Sequence, residues 1–190
     1  MTGLTSHTPH DQDALRTILS NAPAESLKPV GSLTSKSRCF ETNGLMIHCA
    51  HFKEINVQED GVVQVGSGVL LVDLLEVLTA HQLALPTIGE WYGQTLGGAI
   101  STGTHGGSYV HGSLVSSVRS ITLIDGLGVL RHLTRDDPAF VHAVPAFGLT
   151  GVAISYELQC DPIFSIALER NFLSFDSYLQ TLLDVDDAEF

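Results

Sequence analysis

Basic residues are scarce in this sequence. Nine lysines and arginines stand against 21 aspartates and glutamates, which gives a formal net charge of −12. So negative a chain repels other polyanions, and we therefore expect neither a nucleic acid partner nor an anionic membrane surface.

Cysteines and long apolar runs are scarce as well. Cys39, Cys49 and Cys160 are an odd number without the paired spacing of a zinc site, which argues against a disulfide framework and a structural metal. No run approaches the roughly 18 apolar residues of a transmembrane helix, and the N-terminal residues contain no hydrophobic signal region. We expect a cytoplasmic protein with no transmembrane segment and no metal.

Apolar residues are nevertheless numerous enough for a core. They make up 44% of the 190 residues, against 16% charged residues, as in a folded domain. Alternation and helical spacing predict strands over 27–30, 45–48, 54–57, 62–65, 118–124, 129–133 and 150–160, and helices over 11–20, 70–81, 139–144 and 174–183. This order predicts an α+β fold with a mixed or antiparallel sheet.

In the strand over 150–160, simple alternation places one set of apolar side chains on a common face. These are Val152, Ile154, Tyr156 and Leu158.

A glycine-rich stretch follows the second helix. Residues 95–107 read TLGGAISTGTHGG and contain five glycines. Glycine lets backbone N–H groups approach a ligand, and with the hydroxyl groups nearby they favour anionic oxygen. No lysine or arginine lies between Lys53 and Arg119, so a pyrophosphate bound here would be held by amides and hydroxyls. The alternative is a loop that packs tightly on a sheet and binds nothing.

Two other nucleotide motifs are not supported. Gly66-Ser67-Gly68 resembles the start of a dinucleotide fingerprint, but Leu71 stands at the third glycine. The sequence contains no Gly-Lys-Ser/Thr, which excludes a P-loop.

The run QTLGGAISTGTHG at 94–106 resembles the FAD-binding (PCMH-type) domain of the vanillyl-alcohol oxidase superfamily. The likeness is closest to the sugar-lactone and alditol oxidases, and it extends over about residues 10–160. It implies a two-subdomain FAD-binding domain at 1–162, followed at 163–190 by a linker helix and the start of a substrate (cap) domain. Cofactor contacts are implied for Val30, Gly31, Ser32, Leu33, Thr34, Ser35, Thr95, Gly98, Ser101, Gly103, Thr104, His105, Gly106 and, near the adenine, the backbone at Ile154.

The first of these loops departs from the family pattern Gly-x-Gly-His-Ser. Leu33 replaces a glycine, and Thr34 stands at the histidine that often bonds covalently to the flavin. Since no histidine occurs between Asp11 and Ile47, the resemblance implies non-covalent FAD.

The resemblance implies a flavoprotein oxidoreductase acting on a small polyol or sugar lactone. Its catalytic residues cannot be named from this chain, because the groups that contact substrate in the family belong to the cap domain. Two alternatives stay open: a non-catalytic module that has lost its flavin, and a flavin reductase that uses a nicotinamide donor.

Overall fold

The computed structural model describes residues 5–22, 27–108, 110–168 and 170–183. The acidic run at 184–190, expected to be a solvated face or a disordered end, lies outside these residues, as does Tyr109, for which an exposed or domain-seam position is expected. In chain order the elements are β1 (Ser6–His7), α1 (Gln12–Asn21), β2 (Leu27–Val30), β3 (Leu45–His48), β4 (Ile55–Val57), β5 (Val62–Gly66), α2 (Leu71–Ala80), β6 (Leu83–Ala84), α3 (Leu96–Ser101), β7 (Val118–Ile124), β8 (Leu130–Thr134), α4 (Phe140–Ala143), β9 (Val152–Gln159), β10 (Asp161–Pro162) and α5 (Phe175–Leu183).

The strands form a parallel and an antiparallel sheet. β1, β3 and β2 form a three-stranded parallel sheet in that order, while β4-β5-β9-β7-β8 is antiparallel throughout. β6 and β10 pair as a short antiparallel ribbon. The predicted α+β class is confirmed.

Each of the two larger sheets has its own apolar core. The larger core joins the five-stranded sheet to α2 and α3, and its buried residues include Leu74, Leu78 and Ile100. The smaller core places Leu15 and Leu19 of α1 against Ile47 of β3. The side chain of Asp11 caps α1, where the Ala14 backbone N–H donates to its Oδ1 at 2.8 Å.

β9 does not keep the simple alternation expected from its sequence. A bulge places Ile154 as an extra residue opposite β7, since Thr122 pairs with Ser155 while Leu123 pairs with Ala153. Tyr156 therefore packs into the larger core, and Ile154 packs against the smaller one. The single face predicted for this strand is wrong, because one inserted residue exchanges the two faces.

Candidate functional site

A cavity of about 1350 Å³ lies between the two sheets. Its lining comes from the loop after β2, the chain from Ile88 to Gly107, β7, β9 and the loop before β9. Most small-molecule pockets measure about 300–1,000 Å³. The cavity is therefore large enough for a ligand of dinucleotide size.

Nearly all the residues predicted from the sequence line this one cavity. They are Val30, Gly31, Ser32, Leu33, Thr34, Ser35, Thr95, Gly98, Ser101, Gly103, Thr104, His105 and Gly106. Ile154 is not among the lining residues, because the bulge turns it toward the smaller core, and its carbonyl accepts a hydrogen bond from the Ser67 N–H at 2.7 Å. Its neighbour Ala153 does line the cavity.

The loop after β2 presents backbone donors to the cavity. Within the described ranges, no group accepts a hydrogen bond from the backbone N–H groups of residues 32–36. The loop is fixed at its start, because Gly31 lies against Thr95 so closely that an added Cβ would be 2.1 Å from the threonine Oγ1. Free amides on an anchored loop suit the oxygens of a phosphate.

The backbone amides at the start of α3 are not available in the same way. The N–H of Leu96 donates to the Val69 carbonyl at 2.7 Å, and that of Gly97 donates to the Ser67 carbonyl at 2.9 Å. The Gly98 N–H donates to the Thr95 Oγ1 at 3.2 Å. The expectation that these amides form an anion nest is therefore wrong for this turn. Its glycines instead allow close packing, since a Cβ on Gly97 would lie 3.0 Å from Ser67.

The cavity is also lined by two lysines that no sequence motif indicates. Lys28 lies on β2, where its Nζ donates to the Phe147 carbonyl at 2.8 Å, and Lys36 lies at the far end of the loop. The cation-free interval from Lys53 to Arg119 suggested a site without basic side chains. It could not show that lysines from earlier in the chain fold back onto the same cavity.

Leu33 has a backbone conformation that favours glycine. Its φ is +56°, in the left-handed region, and its side chain is exposed at the edge of the cavity. A side chain costs about 1–2 kcal/mol in this region. Leu33 thus has a backbone conformation typical of glycine, at the position where the family pattern Gly-x-Gly-His-Ser has its second glycine.

Buried hydroxyl groups also lie on the cavity wall. Tyr156 and Ser67 both line it, and neither hydroxyl has a hydrogen-bonding partner among the residues that the structure describes. Burial raises the pKa of the adjacent Cys49 thiol to about 11, an effect that Ser67 partly opposes. Both Cys49 and Tyr156 therefore stay protonated and uncharged at neutral pH.

Three exposed residues also line the cavity, namely His105, Trp91 and Tyr92. His105 Nδ1 lies 3.0 Å from the Gly106 carbonyl oxygen, so the backbone already satisfies one ring nitrogen. Trp91 and Tyr92 line the cavity and are exposed. In the described part of the chain, no group of three or more His, Cys, Asp or Glu could hold a metal, and no helix could span a membrane.

Comparison with known proteins identifies the family. The family model described as FAD binding domain matches residues 7–134. L-gulonolactone oxidase of Mus musculus is 35% identical over 85% of this chain and 37% of its own length. Alditol oxidase of a Streptomyces species is 33% identical over 55% of this chain and 25% of its own length. A solved structure of a mutant cholesterol oxidase from Brevibacterium sterolicum matches with a TM-score of 0.74 at 19% identity, covering 83% of this chain and 34% of that one.

The residues of the cavity fit the chemistry of FAD. The free amides of residues 32–36, with Lys28 and Lys36, suit its diphosphate, and the uncharged hydroxyls of Tyr156 and Ser67 suit its uncharged polar atoms. The chain spans little more than a third of the L-gulonolactone oxidase that it matches. It belongs to the FAD binding domain family, and its cofactor is FAD.

Proposed function

We propose that this chain is the FAD-binding part of an oxidoreductase that oxidises a hydroxyl group of a sugar lactone or an alditol. The observation that carries the proposal is the cavity itself, where a loop of free amides faces the glycine-rich turn. The relatives named L-gulonolactone oxidase and alditol oxidase support this substrate class. The bound flavin supplies a hydride acceptor, while the chain contributes binding and orientation.

Two positively charged side chains lie on the cavity wall of an otherwise acidic protein. The chain carries a formal charge of −12, which opposes the approach of an anionic cofactor. Lys28 and Lys36 place positive charge on the cavity wall beside the amide loop. As salt is raised, we expect the FAD affinity of the wild-type chain to fall relative to that of a Lys36→Met variant, because the variant lacks one of the attractions that salt screens.

We further propose that FAD is held without a covalent bond. The loop residues Ser32, Thr34 and Ser35 carry hydroxyls, which are weak nucleophiles without an adjacent base. Cys39 also lines the cavity, and hydrogen bonds from Ser35 and Ser37 lower its pKa. Cys39 is thus the residue to test against this proposal. If FAD is not covalently bound, acid precipitation of the loaded protein leaves all of the flavin in solution. Flavin in the pellet that disappears in a Cys39→Ser variant would overturn the proposal.

The segment after β10 supports a division of the protein near residue 162. α5, which the structure describes in full, has no buried residue, and Ile166, Leu168 and Phe172 are more than four-fifths exposed. Apolar side chains in such a cluster mark a surface that packs against protein. We propose that 163–183 packs against the substrate-binding part, and the boundary at 162 stays a prediction, as does the cytoplasmic location.

The direct test is a titration of the chain with FAD, followed by substrate addition to the whole protein. We expect a 1:1 complex with FAD, and we expect an aldonolactone or an alditol to bleach the flavin absorbance. Bleaching by a reduced nicotinamide alone would indicate a flavin reductase instead. No uptake of FAD would indicate a module that has lost its cofactor.

Replacing Leu33 with glycine tests the left-handed loop. The change removes a left-handed cost of about 1–2 kcal/mol, and it adds freedom to the unfolded chain worth about 0.5–1 kcal/mol. We expect nearly unchanged stability and severalfold tighter FAD binding, since a glycine lets the backbone approach the ligand. Leu33→Ala is the control, because it removes the side chain but keeps the strain. Weaker FAD binding by Leu33→Gly than by Leu33→Ala would contradict this view of the loop.

A further inference from the structure

Tyr156 is a fully buried residue with an unused polar atom. It lies on β9 and is 1% exposed, and its ring packs in the larger core. Its hydroxyl has no hydrogen-bonding partner in the described part of the chain, yet the residue lines the cavity. Phenylalanine would fill the same space without burying an unpaired donor.

Ser67 repeats this arrangement from the neighbouring strand. It follows β5 and is 2% exposed, and its hydroxyl also lacks a partner among the described residues. Its backbone is held on both sides, since its N–H donates to the Ile154 carbonyl at 2.7 Å and its carbonyl accepts from the Gly97 N–H at 2.9 Å. Ser67 is therefore held in a rigid position on the cavity wall, with its hydroxyl close to the Cys49 thiol.

Unpartnered buried hydroxyls destabilise the fold that contains them. Most buried polar groups in folded proteins have a partner, so two exceptions on one cavity wall require an explanation. Ser117 is a useful contrast: its hydroxyl is equally buried and unpartnered, but it does not line the cavity. Tyr156 and Ser67 lie on the wall of the cavity, whereas Ser117 and Thr87, whose buried hydroxyl also lacks a partner among the described residues, do not.

The surroundings show what kind of ligand atom would fit. Burial raises the pKa of Tyr156, and the nearby Ser101 hydroxyl offsets part of the rise without the geometry of a hydrogen bond. The other close titratable group, Cys49, is also uncharged at neutral pH. A wall of neutral hydroxyls suits uncharged oxygen or nitrogen atoms, while charged oxygens are better served by the lysines and free amides of the loop.

We propose that the hydroxyls of Tyr156 and Ser67 are cofactor-binding groups that hydrogen-bond uncharged polar atoms of FAD in this cavity. The proposal rests on the proposed FAD site and deepens it. It divides the cavity into a loop that holds the diphosphate and a wall that holds uncharged polar atoms. Neither residue was indicated by the sequence motif.

The test compares Tyr156→Phe with the wild-type full chain, with and without FAD. Removing an unsatisfied hydroxyl should raise the melting temperature of the FAD-free protein by about 2 °C. The same change should weaken FAD binding about three- to tenfold, because a neutral hydrogen bond to the ligand is lost. A gain in stability together with a loss of affinity is not expected from a residue with a purely structural role.

Ser67→Ala and Ser117→Ala form a matched pair that keeps the test decisive if Tyr156→Phe does not fold. Both should raise the stability of the FAD-free protein, but only Ser67→Ala should weaken FAD binding. The salt dependence of FAD affinity should be unchanged in Tyr156→Phe and reduced in Lys36→Met. Titrations with riboflavin and with ADP then show which half of FAD contacts the wall.

Unchanged FAD affinity in both Tyr156→Phe and Ser67→Ala would overturn the proposal while leaving FAD binding intact. Lower stability of the FAD-free variants would also overturn the proposal, because an ordered water would then be the hydrogen-bonding partner of these hydroxyls. Failure of the wild-type chain to bind FAD would instead count against the proposed function.

Discussion

Gly31→Ala is expected to destabilise the protein and to weaken FAD binding more than any other single change in the loop. An alanine Cβ would lie 2.1 Å from the Thr95 Oγ1 and 3.3 Å from its Cβ. Thr95 cannot turn aside freely, because its Oγ1 accepts the hydrogen bond from Gly98 that caps α3. We expect a loss of about 1–3 kcal/mol in the free energy of unfolding. Because the amide loop is displaced with Gly31, FAD affinity should fall by at least about tenfold.

A double variant separates the steric cause from a general effect of the loop. Thr95→Ala alone should cost about 1 kcal/mol through loss of the cap. Gly31→Ala combined with Thr95→Ala should be less destabilising than the sum of the two, because the clashing oxygen is absent. Ser32→Ala, in the exposed part of the loop, is the neutral control for stability. Strict additivity in denaturant unfolding would contradict the proposed contact.

Gly106→Ala is expected to have the second large effect, and its neighbour provides the control. A Cβ at Gly106 would lie 2.3 Å from the Ile88 carbonyl oxygen, a backbone atom that no rotamer change can move. We expect destabilisation of about 3 kcal/mol, at the upper end of the usual cost of overpacking. At Gly107 an added Cβ would meet nothing within 4 Å, so Gly107→Ala should stay within about 0.5 kcal/mol of wild type.

Denaturant unfolding and FAD titration of both variants check this prediction. Ile88 and Gly106 both line the cavity, so the displaced backbone should also weaken FAD binding in Gly106→Ala. Similar losses in the two variants would show that the stretch is sensitive to any side chain. Equal stability of both with wild type would show that the chain at Ile88 can move away.

Local sequence patterns predicted most elements of the fold. Leu71, Leu74 and Leu78 have helical spacing, and they are the buried residues of α2. The strands predicted over 54–57 and 62–65 are the antiparallel pair β4 and β5. Such signals lie within a few residues of one another, so they can be recognised without knowledge of the rest of the chain.

Features that depend on distant contacts were not predicted. α3 begins in a glycine-rich run that local propensity disfavours, and it forms because Thr95 caps it while Val69 and Ser67 accept its first N–H groups. The bulge at Ile154 depends on pairing with β7, which nothing in the sequence of β9 indicates. Element types are therefore easier to predict here than their faces.

The residues named from the motif line one cavity, with the exception of Ile154, and their contact with FAD stays a prediction. The motif indicated the loop at Gly31 and the turn at Thr95, and both line the cavity. The glycine-rich stretch also led us to expect backbone amides open to a ligand, but those of Gly97 and Gly98 are used inside the protein. Lys28 and Tyr156 were missed because they carry no motif and reach the cavity only through folding.

The single tryptophan of the chain gives this site an optical reporter. Trp91 lines the cavity and is 61% exposed, so its indole lies on the wall of the proposed FAD site. Oxidised flavin absorbs light in the range where indole emits, and a flavin bound in the same cavity is expected to quench such emission by energy transfer. Occupancy can thus be followed in the unlabelled protein, with no second tryptophan contributing background fluorescence.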